Sequence, residues 1–274
     1  MISITIPVIN GYHLDEVLSS IASQTSNDHE TIVINDSKNK KVSLLIKKYG
    51  AIELISNGSL MKARYIGVKN AKGEYVLQLD ETRVLTDNML LEKLNNLQKD
   101  AIFISEIENG KGFFLKAANI DKNLLITSEN INKESPSVLP RFYKTDILKK
   151  AMEILKNNLG DMFDQITAPE DLLIFTEAKN FIKTTYLLED SKIAHYGDDS
   201  LKNIVTKYYR YGKDFSKLSD TKYYRLVEGT GLERMRSRMK NINSYNDMLM
   251  VALLFFVRGL SLEFGKIVRK YKRR

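Results

Sequence analysis

Along the first 80 residues, short apolar runs alternate with segments whose apolar residues recur at helical spacing. The β-branched apolar runs predict strands at residues 2–10, 30–36, 52–55 and 74–80. The helical spacing predicts helices at residues 14–21, 42–49 and 60–70. Strands that alternate with helices are typical of a parallel sheet wrapped by crossover helices. The pattern therefore predicts an α/β fold with a mostly parallel sheet flanked by helices.

The rest of the chain is less regular. Helices are predicted at 87–97, at 146–155 and after Pro169. A hairpin is predicted from 101–108 to 111–117 through Asn109-Gly110, followed by an irregular stretch over 119–140. The segment from Gly229 to Gly231 interrupts the C-terminal region. We expect a catalytic α/β domain over 1–215 and a basic, partly amphipathic helical extension over 216–274.

Composition narrows the class of protein. The chain has 274 residues, of which 43% are hydrophobic and 28% charged, enough to bury a real core. It has no cysteine, which excludes a disulfide framework, a thiolate zinc site and a cysteine nucleophile. The amino terminus shows neither a basic leader nor a long apolar stretch, so we expect no signal peptide and a cytoplasmic location.

Charge is distributed unevenly along the chain. Residues 201–274 contain 18 Lys and Arg against 6 Asp and Glu, whereas residues 1–200 contain 24 against 28. The chain therefore combines a mildly acidic body with a strongly basic C-terminal region.

Polar residues lie at the carboxyl ends of three of the predicted strands. Asn10 ends the first strand, Asn35 and Asp36 end the second, and Asp80 ends the strand over 74–80. Open α/β sheets bind ligands at the carboxyl ends of their strands, so these side chains are candidates for one site. For Asp36 the alternative is an Asx-turn at a strand end.

Several segments occur in an order that resembles the nucleotide-sugar glycosyltransferases of family 2, which have the GT-A fold. Across residues 2–215 the similar segments are ITIPVIN (4–10), VINDSKN (33–39), NGSLMKARYIGVKNAKGEY (57–75), LQLDETRVLTDNML (77–90), PRFYKTDIL (140–148), GDMFDQ (160–165) and PEDLLIF (169–175). The resemblance implies a GT-A-like fold and transfer of a sugar from a nucleotide-diphosphate donor.

The resemblance also assigns donor-binding residues. Asp36 is similar to the residue that accepts a hydrogen bond from the donor's base, and Pro7 and Ile9 would line the base pocket, next to Asn10. Arg64 resembles a residue that helps to hold Asp36 or the base. Its alternative is an ordinary arginine on a helix surface.

A divalent metal, Mg²⁺ or Mn²⁺, is implied at the end of the strand over 74–80. The family's Asp-x-Asp motif aligns with Asp80, Glu81 and Thr82, so a hydroxyl replaces the second carboxylate. Asp80 would contact metal or diphosphate, and His195 would supply the ligand that Thr82 cannot. The alternatives are that Asp80 caps a turn and that His195 is a loop histidine bonded to backbone.

The catalytic assignment falls on the Glu170-Asp171 pair. An inverting displacement needs a carboxylate that removes the acceptor hydroxyl's proton, and the resemblance points to Asp171 first and Glu170 second. The alternative is a capping box with Thr167 at a helix start. Arg210 lies in a segment similar to one that closes over the donor diphosphate, although an arginine on a helix face is common without function.

The C-terminal region has one apolar run, MLMVALLFFV (248–257). Ten helical residues cover about 15 Å, too short for a bilayer core of about 30 Å. With the basic residues that follow, the segment could lie on an anionic membrane at the inner face of the cell membrane and bring the enzyme to a lipid-linked or surface glycan acceptor. The alternative is that it packs on the catalytic domain or forms a homo-oligomer.

Three functions therefore compete. The first is a metal-assisted inverting glycosyltransferase. The second, suggested by Thr82, is a non-catalytic relative that binds nucleotide sugars with a degenerate metal site. The third is nucleic-acid binding through the basic C-terminal region, which the acidic body and the apolar run disfavour.

Overall fold

The computed structural model describes residues 1–125, 138–227, 235–236 and 239–272. Strands β1 to β8 are Ile2–Val8, His29–Asn35, Ile52–Leu54, Tyr75–Gln78, Arg83–Leu85, Ala101–Glu108, Phe142–Lys144 and Thr185–His195. Helices α1 to α9 are Leu14–Ala22, Lys40–Lys48, Leu60–Asn70, Leu90–Leu97, Phe113–Leu125, Thr145–Leu159, Glu170–Ala178, Leu201–Phe215 and Tyr245–Lys272.

The eight strands form one sheet in the order β3-β2-β1-β4-β7-β6-β8-β5. The first four strands pair in parallel, and β7 joins β4 and β6 in antiparallel fashion, as β5 joins β8. All seven residues of β1 are buried, as expected for a central strand covered by helices on both faces. The α/β sheet flanked by helices that the sequence predicts is confirmed, and the sheet is mixed.

One predicted element is wrong. The hairpin through Asn109-Gly110 was expected to return as a strand over 111–117, but α5 begins at Phe113. Gly110 and Gly112 have φ of 127° and 139°, and this left-handed backbone turns the chain from β6 into a helix. The expected irregular stretch over 119–140 is helical as far as residue 125, and residues 126–137 lie outside the described residues. The predicted interruption at Gly229 to Gly231 lies outside them too.

Among the described residues, contacts divide the chain into two compact units. The first comprises residues 1–107, 138–166 and 170–196 and holds most of the sheet. The second comprises residues 108–125, 167–169 and 197–227 and the described part of 235–272. The expected domain boundary at 215/216 stays a prediction.

In the first unit, α3 lies close against the parallel part of the sheet because Gly67 has no side chain. A Cβ at this position would come within 2.9 Å of Ile34 Cδ1 and 3.1 Å of Thr5 Cβ. Arg64 lies one turn earlier on the same helix and is 1% exposed. The close approach of α3 therefore helps to place a buried guanidinium beside the sheet.

In the second unit, α9 packs along α8 and α5. The backbones of α8 and α9 approach closely at two glycines: a Cβ on Gly212 would collide with the carbonyl of Leu262, and one on Gly265 with that of Tyr209. A small apolar cluster fills the space between the helices, with Ala117, Ala118, Ile204 and Leu254 at its centre. One face of α9 is thereby fixed to the unit.

Candidate active site

Three polar residues lie at the carboxyl edge of the parallel strands. Asn10 follows β1, Asp36 follows β2 and Asp80 follows β4, and these strands are neighbours in the sheet. The Glu81 carboxylate accepts hydrogen bonds from the backbone N–H groups of Asn10, at 3.1 Å, and Gly11. The loop after β1 is thus tied to the end of β4.

The Asp36 carboxylate is engaged with the loop that follows β3. It accepts hydrogen bonds from the backbone N–H groups of Ser56 and Asn57, both at 2.9 Å, and from the Ser56 hydroxyl. The neighbouring Asn35 amide donates to Glu53 Oε1 at 2.6 Å. Asn35, the last residue of β2, and Asp36 after it therefore shape this edge, and the contact of Asp36 with a donor base stays a prediction.

The Asp80 carboxylate uses both oxygens within its own turn. Oδ1 accepts hydrogen bonds from the Thr82 backbone N–H at 3.0 Å and from the Thr82 hydroxyl at 2.6 Å. Oδ2 pairs with the Arg83 guanidinium. The Asp80 carboxylate, for which the resemblance implies a metal, is therefore paired with the Arg83 guanidinium.

From Arg83 a chain of ion pairs crosses the antiparallel part of the sheet. Arg83 Nε lies 3.1 Å from Glu106 Oε1, and Arg141 Nε contacts the same oxygen at 2.8 Å. Arg141 Nη1 then donates to Asp171 Oδ2 at 2.7 Å. The chain of contacts therefore joins Asp80, at the end of β4, to the acidic start of α7.

Arg64 reaches the same acidic start from the other side. Its Nη1 donates to the Leu79 carbonyl, and its Nη2 lies 3.6 Å from Asp171 Oδ1 and 4.0 Å from Glu170 Oε1. The buried Asp171 Oδ1 accepts no hydrogen bond in the described part of the chain. Two guanidinium groups thus face the acid pair and leave one Asp171 oxygen free of hydrogen bonds.

The two acids have opposite electrostatic surroundings. Burial and the nearby charge of Asp171 raise the pKa of Glu170 to about 7. Burial also opposes ionisation of Asp171, but the positive charges of Arg141, Arg64 and Arg83 outweigh it and lower its pKa. Asp171 is therefore ionised near pH 7, and Glu170 is the acid of the pair that holds its proton more tightly.

The predicted metal ligands do not fit a divalent ion. Both Asp80 oxygens are engaged by Thr82 and Arg83, and His195 stands opposite Arg83 in the register of β5 and β8. Within the described residues, no three His, Asp or Glu side chains are placed to hold a metal. A divalent cation prefers several free oxygen ligands, and a guanidinium beside the carboxylate opposes its approach.

The remaining predicted donor residues are spread over both units. Pro7 is buried within β1, whereas Ile9 and Asn10 are exposed in the loop that follows it. Arg210 belongs to the second unit, where it is exposed on α8 with its guanidinium carbon 6.0 Å from the Tyr211 ring centroid. Their contacts with a donor stay predictions.

Three residues of the ion-pair chain were not named from the sequence: Arg83, Glu106 and Arg141. Their partners are 23 to 35 residues apart in the chain, so no local pattern reveals the pairing. A signal was nevertheless present, because Glu106 interrupts an apolar strand and Arg141 immediately precedes one. Charge on a strand that is otherwise apolar needs a partner.

Comparison with known proteins gives consistent matches. The chain matches the family described as Glycosyl transferase family 2 over residues 3–149. It is 32% identical over 203 residues to poly(ribitol-phosphate) β-N-acetylglucosaminyltransferase TarP of Staphylococcus aureus, covering 68% of this chain and 61% of TarP. It is 33% identical over 103 residues to an uncharacterized glycosyltransferase of Rickettsia typhi, covering 36% of this chain and 32% of that protein.

Solved structures share the fold at low sequence identity. TarS of S. aureus in complex with UDP-GlcNAc superposes with a TM-score of 0.51 at 17% identity, covering 99% of this chain and 91% of that one. The mannosyltransferase PcManGT of Pyrobaculum calidifontis, in complex with GDP-Man and Mn²⁺, superposes with a TM-score of 0.59 at 12% identity, covering 100% and 88%. The chain spans from about a third to 61% of the length of the two curated relatives.

Proposed function

Because the chain belongs to glycosyl transferase family 2, we propose that it is an inverting glycosyltransferase that moves a sugar from a nucleotide-diphosphate donor to a hydroxyl acceptor. The observation that carries this proposal is the acid pair at the start of α7, held against Arg141 and Arg64. A buried carboxylate kept ionised by arginines, next to one with a raised pKa, is an arrangement suited to proton transfer.

The donor would bind along the carboxyl edge of the parallel strands. Asp36, Pro7 and Ile9 would contact the base, with Asn10 beside them, as the resemblance implies. The resemblance assigns Arg64 to Asp36 or the base, but its hydrogen bond is with the Leu79 carbonyl and its ion pairs are with the acid pair, so we propose that it acts beside that pair. Arg210 would approach the diphosphate. A UDP-sugar is the first donor to test, because TarS is described in complex with UDP-GlcNAc.

In the transfer step, the acceptor oxygen forms a bond to the anomeric carbon as the bond from that carbon to the diphosphate oxygen breaks. The hydroxyl proton passes to a carboxylate, and the nucleoside diphosphate leaves with the bonding electrons. We assign Asp171 as the base, with Glu170 second. Asp171 is ionised near pH 7 and has one oxygen without a hydrogen bond, while Glu170 has the greater proton affinity.

A divalent metal, where a glycosyltransferase binds one, neutralises charge on the departing diphosphate. The residues around Asp80 and His195 do not fit this role for the reasons given above, and no step of the proposed mechanism uses a metal. The second candidate function, a non-catalytic nucleotide-sugar binder, draws support from the same mismatch. The intact acid pair favours the enzyme.

The acceptor would be presented at an anionic membrane surface. The helix from Tyr245 to Val268 is long and apolar enough to cross a membrane by length and composition, which corrects the estimate made from ten residues alone. Six of its apolar side chains form an exposed stripe at helical spacing, each at least 44% exposed: Leu249, Leu253, Phe256, Leu260, Phe264 and Ile267. We call this set the apolar stripe.

Lying on the surface fits α9 better than spanning. Its opposite face packs on α8, whose basic residues Lys202, Lys207, Arg210 and Lys213 would be costly to bring into hydrocarbon. Those basic residues and the ones that end the chain suit anionic headgroups. The protein would then be peripheral on the inner face of the cell membrane, where a lipid-linked or surface glycan acceptor is accessible.

Vesicle co-sedimentation tests the membrane part. We expect the wild-type protein to sediment with phosphatidylglycerol vesicles and not with phosphatidylcholine vesicles, and Phe256→Ser/Phe264→Ser to lose most of that binding. Leu44→Ser, at an exposed leucine on α2, is the matched control. Equal binding of the double variant and the control would show that the stripe does not contact lipid, and a concentration-dependent mass would point to self-association.

A donor screen tests the transferase itself. Nucleotide release is followed for a panel of UDP- and GDP-sugars, and binding of each is measured by calorimetry. The proposal expects one donor to release nucleoside diphosphate at a rate that acceptor glycans increase. Binding without any release across the panel would instead identify the non-catalytic relative.

A further inference from the structure

The Arg83 guanidinium is fixed at the edge of the sheet where phosphates bind in folds of this kind. Its backbone N–H donates to the Asp80 carbonyl at 3.2 Å, which closes the turn between β4 and β5. Its side chain is held on one side by the Asp80 carboxylate and on the other by Glu106. These contacts use Nη1 and Nε and orient the plane of the guanidinium.

The guanidinium is held but not sealed from solvent. Its contacts with Asp80 and Glu106 use Nη1 and Nε, and the Arg83 side chain keeps 11% of its surface exposed. A guanidinium presents its N–H groups as a rigid fork that matches phosphate oxygens, and such bonds are charge-assisted. Arg83 therefore offers a prepared donor to an anion.

Local electrostatics favour such an anion. Arg83 and Arg141 share one oxygen, Glu106 Oε1, at 3.1 and 2.8 Å. The two guanidinium groups are therefore close to each other, and a diphosphate beside Arg83 would offset their mutual repulsion.

The charge count at this turn points the same way. Thr82 contributes a hydroxyl where a carboxylate would add one negative charge, and Arg83 contributes one positive charge. Relative to a turn with a second carboxylate and no arginine, the difference is two positive charges, which equals the charge of a divalent ion. The Arg83 guanidinium can thus supply positive charge at a position where a divalent metal ion would otherwise be needed.

We propose that Arg83 binds the diphosphate of the donor as an internal cation, so that donor binding needs no divalent metal. This inference rests on the proposed function, since it concerns the same donor. Asp80 then acts as a positioning residue for Arg83.

Calorimetry tests the role of Arg83. Binding of UDP, and of the nucleoside diphosphate that the best donor releases, is measured once in EDTA and again with Mn²⁺. We expect the wild-type protein to bind in EDTA with a Kd that Mn²⁺ changes by less than about threefold. Loss of one charge-assisted contact predicts that Arg83→Gln weakens binding in EDTA by about 10- to 100-fold. Arg83→Lys should retain part of the affinity, and the exposed Arg225→Gln should match the wild type.

A double variant sharpens the test. Thr82→Asp/Arg83→Gln adds one negative charge, removes one positive charge and frees Asp80 from Arg83, so we expect it to bind the diphosphate only when Mn²⁺ is present. Circular dichroism on each variant checks that it is folded.

The outcomes separate this inference from the proposed function. Wild-type binding that requires Mn²⁺, or Arg83→Gln binding in EDTA as tightly as wild type, overturns the internal cation and leaves the transferase standing. No binding of any nucleoside diphosphate, with or without Mn²⁺, overturns both.

Discussion

The two units of the molecule differ in what they bury and what they expose: the first buries paired charges, and the second exposes a row of apolar side chains. In the first unit, Arg64, Arg83 and Arg141 are withdrawn from solvent and held against carboxylates. In the second, α9 leaves the apolar stripe exposed along one face while it packs its other face on α8. Buried charge is rarely retained for stability alone, and an exposed apolar row marks a surface for interaction. The buried arginines fit the transfer chemistry proposed for the first unit, and the exposed apolar stripe fits the membrane contact proposed for the second.

The largest expected effect comes from breaking the buried charge network. Arg141→Met leaves Glu106 and Asp171 without their shared partner, and we expect a loss of about 3–5 kcal/mol in the free energy of unfolding. Urea denaturation measures it, with the exposed Arg225→Met as control. A loss below about 1 kcal/mol would mean that Arg141 does not stabilise the fold through its ion pairs with Glu106 and Asp171.

Glu170 provides a smaller effect with a defined pH dependence. Its pKa is raised from 4.5 to about 7 in the folded protein. The folded state therefore binds the proton more tightly, and stability falls as pH rises through the window from about 4.5 to 7.

Glu170→Gln removes that dependence. We expect it to gain about 1–3 kcal/mol over the wild type at pH 8 and to match it at pH 4, where both side chains are neutral. Thermal unfolding across this pH range checks the sign. A variant that is less stable than wild type at pH 8 would contradict the raised pKa.

The smallest effect is expected on the apolar stripe. Leu260→Ser should change the free energy of unfolding by less than about 0.5 kcal/mol, because the side chain is already exposed. Leu254→Ala, on the packed face of the same helix, should cost about 2–5 kcal/mol. Equal losses would show that both faces of α9 are packed, and the comparison between the units would fail.

The parallel half of the sheet could be predicted from the sequence because its signals are local. The alternation of apolar runs placed β1 and β2, and the helix predicted at 60–70 has the bounds of α3. The α5 error has an equally clear cause. Asn109-Gly110 favours a hairpin, whereas the observed helix places Ala117 and Ala118 against Ile204 and Leu254, contacts that only the folded chain reveals.

The candidate site was predictable only in part. The resemblance named Asp80 and Asp171, but the arginines and the glutamate that connect them pair across different strands and helices. Long-range ion pairs leave no periodic signal in a single sequence. The proposed role of Arg83 as an internal cation likewise depends on a contact that the sequence does not show, the ion pair of its guanidinium with Asp80.

The most direct measurement is turnover of the best donor by Asp171→Asn beside wild-type protein, with donor Kd measured on the same samples. Removal of the general base should lower the rate of nucleotide release by about 10²- to 10⁴-fold while donor Kd changes by less than about threefold. A variant that transfers sugar at the wild-type rate would contradict the assignment of the acid pair as the catalytic centre.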